Sequence, residues 1–345
     1  MNLKELSSHL GLSQTTVSRA LNGFPEVKEA TRLRVREAAA TYGYRPNTRA
    51  KSLATGQSFT IGHVIPSSTN HELVNPIFAD FLAGASETYE REGYDLLLSM
   101  VSDHDEERAY REFAARGKVD GVIVHGPTLS DSRVKLLQEL NLPFVVHGRS
   151  SRLVQDYNWL DVNNRRAFNR ATGFLLDLGH RRIALLNGLE SMDFAMRRRE
   201  GYSSALKDRG IAEVSEFVAH DEMTEVFGYV STKSMLKAFN PPTAFLVSSI
   251  IPAIGARRAI EETGQQLGKD VSIVVFDDDL SYFRNSGDIP FFTAVRSSVR
   301  TGGRIAAEML LEIIRVRPKE PRQTLLEAEL TVGLSTGPAP KRDDG

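Results

Sequence analysis

The first residues of the chain carry an apolar pattern with helical spacing. Three leucines fall at positions i, i+3 and i+7, on one face of a short helix: Leu3, Leu6 and Leu10. Gly11 can end this helix in a left-handed conformation, and Ser13 is a suitable N-cap for a second helix. Val17 and Leu21 of the second helix can close on the leucines of the first. This spacing predicts a helix-turn-helix over residues 3–22.

A third helix is predicted over residues 29–41. Its apolar side carries four residues: Val35, Ala38, Ala39 and Tyr42. Gly43 follows as a stop signal. We therefore expect an all-α helix-turn-helix domain over residues 1–45.

From Thr60 the pattern changes to apolar strands that alternate with amphipathic helices. The first series contains the strands TIGHVIP, YDLLLSMV, VDGVIVHG and PFVVHGR, with helices over 78–92, 105–116 and 131–140. The second contains RIALLNG, EFVAH, AFLVSS and VSIVVFDDD, with helices over 164–178, 196–209, 225–239 and 252–263. FTAVRSS, a helix over 300–315 and a strand pair in TLLEAELTVGLST complete both series. Continuous apolar strands in such units predict two α/β lobes with parallel, doubly wound sheets.

Composition changes this picture in two ways. The net charge is −1, but residues 1–58 hold nine Lys/Arg against four Asp/Glu, so the N-terminal end is basic and the rest of the chain is acidic. That end is the expected polyanion-binding face. Cysteine is absent, and we find no signal pattern and no apolar run of 18 residues. These features predict a cytoplasmic protein that does not enter a membrane.

The outward side chains of the second predicted helix suit a DNA major groove. Gln14, Thr15 and Arg19 can form hydrogen bonds with base edges. The residues expected to reach phosphates are Ser13, Thr16, Ser18 and Asn22, with Thr31 as a further DNA contact. The spacing alone also fits any amphipathic helix pair, so the assignment to DNA rests on the basic end and on the segments after the third helix.

The segments TTVSRALNG and GYRPN, together with the stretch after them, resemble the lactose-repressor/galactose-repressor (LacI/GalR) family of bacterial transcription regulators, and the resemblance continues to about Ser335. It implies a hinge helix within residues 46–58 that folds on DNA beside its copy from a second subunit. Leu53 would be the minor-groove wedge, with Asn47, Ala50 and Ala54 lining the contact. A plain linker is the alternative. No heptad tail follows, so a homodimer on a near-palindromic operator is expected.

The resemblance also implies that the chain crosses between lobes near Trp159, Pro290 and Pro318. The effector-binding and dimerisation domain would then span residues 59–337. Its N-terminal lobe would comprise 59–158 and 291–318, and its C-terminal lobe 159–290 and 319–337. Residues 338–345 would form a flexible tail, because they are rich in proline, glycine and charge.

Ligands of parallel sheets bind at the carboxyl ends of the strands, and those ends carry polar residues here. The strand-end candidates are His125, His147, Arg149, Asn187 and Ser249, with Trp159 as an aromatic face. The resemblance adds Phe78, an effector-clamping Arg198, Asp277 and Met223, the last standing where sugar-binding relatives have tryptophan. His147 and Arg149 could instead be structural. The run 277–279 does not suit a metal, because consecutive strand residues point to opposite faces.

The function expected from these features is a repressor of sugar uptake and catabolism genes, released from its operator by a small sugar. The segments PFVVHGR, YNWLDVNN and NGLESMDFAMRRREGY are most similar to regulators of alpha-glucoside use, which favours a disaccharide such as sucrose, maltose or trehalose. A corepressed regulator or an activator is the alternative. A sugar-active enzyme is disfavoured because no P-loop, G-x-S-x-G or H-E-x-x-H motif is present, and a transport protein would need export. No catalytic residue, cofactor or metal is predicted.

Overall fold

The computed structural model describes residues 1–21, 23–44, 55–66, 75–102, 105–283, 285 and 288–341. The chain divides into two compact units, residues 1–59 and 60–345, and each is described by itself. No helix among these residues is long and apolar enough to cross a membrane.

The N-terminal unit contains the three expected helices. They are α1 (Leu3–Leu10), α2 (Gln14–Leu21) and α3 (Glu29–Thr41). Gly11 ends α1 with a φ of 65°, and the Ser13 hydroxyl accepts a hydrogen bond from Thr16 N at 3.0 Å, as expected for an N-cap. The buried residues of the small core are Leu6, Leu10, Val17, Ala20, Val27, Val35 and Ala39. Tyr42, expected on the apolar side of α3, is 40% exposed, and Tyr44 packs against the core instead.

The first sheet of the larger unit is parallel throughout. Its strands are β1 (Thr60–Pro66), β2 (Asp95–Val101), β3 (Gly121–His125), β4 (Phe144–His147), β5 (Trp159–Val162) and β11 (Gln323–Leu326). The order across the sheet is β11-β5-β4-β3-β1-β2. The helices between these strands are α4 (Pro76–Glu92), α5 (Glu106–Arg116) and α6 (Ser132–Glu139). This is the doubly wound lobe that the continuous apolar strands predict.

The second sheet is parallel except at one edge. Its strands are β6 (Ile183–Asn187), β7 (Val218–His220), β8 (Ala244–Val247), β9 (Ser272–Asp277), β10 (Thr293–Arg296) and β12 (Glu329–Thr331). The order is β12-β10-β9-β8-β6-β7, with β12 antiparallel to β10. The remaining helices are α7 (Asn164–Asp177), α8 (Asp193–Asp208), α9 (Glu225–Met235), α10 (Ile250–Glu261) and α11 (Val299–Val316). A short 3-10 helix, Ser215–Phe217, precedes β7.

The strand pairing corrects the expected lobe boundaries. Strand β5 pairs with β4 and β11, so residues 159–162 belong to the first lobe. Strand β10 pairs with β9 and therefore belongs to the second lobe, whereas β11 lies in the first. The chain therefore crosses between the lobes after Val162, Arg296 and Leu326. The resemblance implied earlier crossings, near Trp159, Pro290 and Pro318, because a resemblance locates the connections only approximately and does not show which strands form hydrogen bonds.

Glycines allow three helix pairs to approach closely. A Cβ at Gly303 of α11 would lie 2.1 Å from the Phe81 carbonyl oxygen of α4. A Cβ at Gly201 of α8 would lie 2.1 Å from the Arg165 oxygen of α7, and one at Gly228 of α9 would lie 1.9 Å from the Pro252 oxygen of α10. These distances are far below contact, so only glycine permits the packing that sets each helix against its sheet.

Part of the predicted flexible tail is attached to the second lobe. Ala339 N donates to the Leu178 oxygen at 2.9 Å. His180 is fully buried and bonds to Thr243, Ser272 and the Gly337 oxygen at 2.9–3.1 Å. The tail therefore starts beyond Ala339, and its residues 342–345 lie outside the described part of the chain.

Candidate functional sites

A cavity of about 470 Å³ lies between the two lobes of the larger unit. Its walls come from the carboxyl ends of β3 and β4 in the first lobe and of β8 and β9 in the second, and from the first turns of α4, α7 and α11. This is where ligands bind to parallel sheets, and the volume falls in the range of about 300–1,000 Å³ that is typical of small-molecule sites.

Aromatic and imidazole rings form the first-lobe wall. The ring of His147 stacks on Phe81 with 4.3 Å between centroids, and His125 meets the edges of Phe78 and Phe81 at 4.9 Å. Burial lowers the pKa of His147 to about 4 and holds the pKa of His125 well below its usual value. Both imidazoles are therefore neutral near pH 7, and each carries one N–H donor and one acceptor nitrogen.

Arg198 and Asp278 form the polar part of the second-lobe wall. Arg198 Nε donates to Asn164 Oδ1 at 2.7 Å, and its Nη1 donates to the Ser248 oxygen at 2.6 Å. The guanidinium carbon lies 4.1 Å from the ring centroid of Phe276. Burial lowers the pKa of Arg198 to about 10, so the group stays protonated at neutral pH.

Two opposing effects shift the pKa of the Asp278 carboxyl. Burial raises its pKa to about 7, although the nearby Arg198 charge acts in the opposite direction. The residue is 9% exposed and lines the cavity, and its side chain has no hydrogen-bond partner in the described part of the chain. A carboxyl that is buried and unpartnered at a cavity wall can bind a ligand hydroxyl.

Five of the predicted effector residues line this cavity: Phe78, His125, His147, Arg198 and Met223. The other five lie outside its lining: Arg149, Trp159, Asn187, Ser249 and Asp277. Each of these five makes a structural contact instead.

Two of the misplaced residues are neighbours of residues that do line the cavity. Asp277 accepts a hydrogen bond from Asp279 N at 2.8 Å, while Asp278 lines the cavity. Ser249 caps α10 by accepting from Ile251 N at 3.3 Å, while Ser248 lines the cavity. The correction is a shift of one residue in each case, and it follows from the alternation of side chains at the end of a strand.

Arg149, Trp159 and Asn187 serve packing. Arg149 Nε donates to Asp161 Oδ2 at 2.7 Å, and its guanidinium lies 4.8 Å from the Trp159 ring centroid. Trp159 itself packs against the first-lobe core and does not line the cavity. Asn187 is buried and bonds to Ala195 O and Ser248 Oγ, each at 2.8 Å.

Several cavity residues were missed from the sequence. Polar examples are Asn75, Asp161, Asn164, Asp221 and Glu222, and apolar examples are Phe81, Met192, Phe194 and Ile251. Asn75 is the N-cap of α4 and Asn164 is the first residue of α7, so a search of helix starts would have found them. No sequence signal marks Met192 or Phe194, which reach the cavity because the second lobe closes over it.

Two sets of hydrogen bonds join the lobes on either side of the cavity. On one side Asp193 N donates to the Pro127 oxygen at 3.1 Å, and Ser151 N donates to Asp193 Oδ2 at 2.6 Å. On the other, Asp80 of α4 accepts from Ser281 N at 2.5 Å and from Ser281 Oγ at 2.7 Å. The lobes are therefore held closed around the cavity in this structure.

The described residues contain no group of three His, Asp or Glu side chains placed to hold a metal ion. In the acidic run 277–279, Asp278 lines the cavity and Asp279 pairs with Arg296.

In the N-terminal unit the start of α2 presents an exposed polar surface. Ser13, Gln14, Thr15 and Arg19 are exposed, and Thr16, Ser18 and Thr31 are half-buried. A shallow depression beside them is lined by Ser13, Thr15, Thr16, Arg19, Lys28 and Thr31, among others. Arg19 Nη1 lies 3.6 Å from Glu26 Oε1, an exposed ion pair that costs little to separate. The predicted contacts Asn22, Asn47, Ala50, Leu53 and Ala54 lie outside the described residues.

A helix-turn-helix unit followed by two parallel-sheet lobes around a cavity defines the class of ligand-binding transcriptional regulators. Residues 2–47 match the family described as bacterial regulatory proteins, lacI family, and residues 172–336 match the periplasmic binding protein-like domain. The chain belongs to the lacI family, and it is a DNA-binding transcriptional regulator and not an enzyme.

Among its relatives is the HTH-type transcriptional regulator AglR of Rhizobium meliloti (strain 1021), 44% identical over 99% of this chain and 96% of that protein. The HTH-type transcriptional regulator RafR of Escherichia coli is 33% identical over 80% of this chain and 82% of its own length. A crystal structure of the Lac repressor dimer bound to operator and the anti-inducer ONPF superposes with a TM-score of 0.81 at 26% identity, covering 98% of this chain and 99% of that one. A transcriptional regulator CelR-cellobiose complex gives a TM-score of 0.72 at 26% identity, covering 96% and 99%.

Proposed function

We propose that this regulator is a repressor of sugar uptake and catabolism genes that leaves its operator when a neutral alpha-glucoside disaccharide binds between the lobes. The observation that carries the proposal is the composition of the cavity. Arg198, Asp278 and two neutral histidines offer donors and acceptors for hydroxyl groups, while Phe78 and Phe81 offer apolar ring surface for the C–H faces of sugar rings.

The charges around the cavity favour a neutral ligand over a phosphorylated one. The acidic lining residues are Asp161, Asp221, Glu222, Glu225 and Asp278, against Arg198 as the basic lining residue in the described part of the chain. Arg198 already donates to Asn164 and to the Ser248 oxygen, so its charge is partly used within the protein. An anionic sugar would meet repulsion that a disaccharide does not.

Two similarities support a sugar effector. The related CelR structure is a complex with cellobiose, a disaccharide. The sequence resemblance of PFVVHGR and NGLESMDFAMRRREGY to alpha-glucoside regulators narrows the choice to maltose, trehalose or sucrose.

We further propose that the chain acts as a homodimer. Exposed apolar residues on adjacent helices support this: Val226 and Val230 of α9 and Ile254 of α10 are 63%, 56% and 38% exposed. Effector-dependent movement of one lobe against the other would then change the separation of two operator-binding units across the dimer. The predicted hinge contacts, Leu53 among them, belong to this proposal.

The test is operator binding by fluorescence anisotropy, with DNA from upstream of the protein's own gene at fixed salt. Maltose, trehalose, sucrose and glucose are titrated in turn. We expect one disaccharide to lower operator affinity, and Arg19→Ala to abolish selection of operator over random DNA. A disaccharide that raises affinity would favour corepression instead. A chain that binds operator but responds to none of the sugars would contradict the proposed effector.

A further inference from the structure

A hydrogen-bonded chain of three side chains runs from the first-lobe core to the cavity. Tyr89 of α4 and His63 of β1 are 1% and 0% exposed, whereas His125 lines the cavity. The distance from Tyr89 Oη to His63 Nε2 is 3.2 Å, and the distance from His63 Nδ1 to His125 Nε2 is 2.9 Å. Of these three residues, only His125 is among the site residues predicted from the sequence.

The ring of His63 must be neutral, because burial lowers its pKa to about 3. It therefore carries one N–H donor and one acceptor nitrogen, and two arrangements of protons satisfy both contacts. In the first, Tyr89 donates to His63 Nε2, and His63 Nδ1 donates to His125 Nε2. In the second, every donor is reversed.

The two arrangements of protons differ in which hydrogen is left without an acceptor. In the reversed arrangement the Tyr89 hydroxyl hydrogen has no acceptor among the described residues, and it is buried, which costs the full desolvation of a donor. In the first arrangement every buried hydrogen is used, and the proton left over lies on Nδ1 of His125, a residue with access to the cavity. The first arrangement is therefore favoured.

We propose that Tyr89 and His63 are positioning residues that hold His125 in the Nδ1–H form, so that His125 donates a hydrogen bond to an acceptor oxygen of the effector. The contact to the effector rests on the proposed function. The proton position on His125 does not, because it follows from contacts within the protein.

The first test needs no effector. Nitrogen-15 NMR of the full chain, labelled in its eight histidines, reports which ring nitrogen carries the proton, and single His→Gln variants assign the signals. We expect His125 and His63 both to carry the proton on Nδ1. We expect Tyr89→Phe to move the His125 proton, wholly or in part, to Nε2. A wild-type His125 protonated on Nε2 would overturn the proposal.

Tyr110→Phe is the matched control. Tyr110 is a fully buried tyrosine that packs in the same lobe, and among the described residues its hydroxyl makes no hydrogen bond to His63 or His125. Loss of its hydroxyl should leave the His125 signals unchanged. Equal changes in both variants would mean that any tyrosine loss disturbs the lobe, and the positioning role would fail.

The second test measures binding of maltose, trehalose and sucrose by calorimetry. We expect Tyr89→Phe to lower the affinity for the sugar that binds by about two- to tenfold, which corresponds to the loss of one neutral hydrogen bond. His63→Asn keeps an N–H near the Nδ1 position and should retain affinity, whereas His63→Leu should lose it. An equal loss of affinity in both His63 variants would contradict the positioning role of His63. If none of the sugars binds wild-type protein, the proposed function fails while the NMR result stands.

Discussion

At the scale of single residues, we expect the Asp278 carboxyl to make effector binding sensitive to pH. Its pKa of about 7 means that it is mostly protonated at pH 6 and mostly ionised at pH 8. An effector hydroxyl donates best to the ionised form, so we expect affinity to rise with pH through about 7 and to level off about one unit above it. Calorimetric titrations between pH 5.5 and 8.5 measure this profile. Asp278→Asn should flatten it, whereas Asp221→Asn, which removes another lining carboxyl, should not.

The same carboxyl affects the stability of the effector-free protein. Its folded-state pKa of about 7 lies above the usual value of 3.8. Between those two values the folded protein holds a proton that the unfolded chain has released, so the contribution of this group to stability falls as pH rises across that range. Asp278→Asn should therefore gain in melting temperature relative to the wild type at pH 8 but not at pH 4. An equal gain at both pH values would contradict the assigned pKa.

Arg198 is the residue on which the response to sugar should depend. Its guanidinium connects α8 to Asn164 at the start of α7 and to the Ser248 oxygen at the end of β8, and it faces the cavity. Arg198→Ala should therefore eliminate release from the operator by sugar while operator binding remains, as measured by anisotropy. Arg199→Ala is the matched control, because Arg199 pairs with Glu190 and Glu213 and does not line the cavity. A normal sugar response in Arg198→Ala would place the clamp elsewhere.

At the scale of helices, close packing through glycine gives a second kind of prediction. A Cβ at Gly228 would lie 1.9 Å from a backbone oxygen of α10, which cannot move without shifting the helix. Gly228→Ala should therefore destabilise the protein by at least about 1–3 kcal/mol, measured by urea unfolding. Gly173→Ala in α7 is the control. Apart from its chain neighbours and the backbone of its own helix, no atom lies within 4 Å of a Cβ there, so that substitution should stabilise by about 0.5–1 kcal/mol. Destabilisation of similar size in both variants would contradict the close-approach argument.

Most helices and strands could be predicted from the sequence. Helix α3 was predicted with its observed bounds, and most strands were found, because apolar periodicity and stop signals are local. Strand β5 was missed because WLDV lacks a continuous apolar run, and its place depends on pairing with β4 and β11, far apart in the chain.

The residues of the candidate site were predicted only in part. Strand ends were predicted as its location, and several of them line the cavity, but Asp277 was predicted where Asp278 lines it. Neighbouring residues at a strand end differ only in which face they occupy, and that depends on where the last strand hydrogen bond falls. Trp159 was assigned to the ligand for its ring alone, yet its ring stacks with the guanidinium of Arg149.

At the scale of the whole molecule, the contacts between lobes set how readily the cavity closes. Asp80 in the first lobe accepts two hydrogen bonds from Ser281 in the second, whereas three chain crossings alone would leave the lobes free to separate. A ligand held between lobes binds only the closed form, so its apparent affinity falls with the population of that form.

Asp80→Asn should shift this balance toward open lobes, because an amide presents one acceptor oxygen to two donors and carries no charge. We expect affinity for the effector to fall by about tenfold, equivalent to about 1.4 kcal/mol, with operator binding retained. Small-angle X-ray scattering should show a larger radius of gyration without sugar and recovery at saturating sugar. Glu92→Gln is the control, since Glu92 lies on the same helix and bonds to Arg91 and Arg315 within the first lobe. An unchanged affinity in Asp80→Asn, or an equal loss in Glu92→Gln, would mean that closure does not depend on the contact between Asp80 and Ser281.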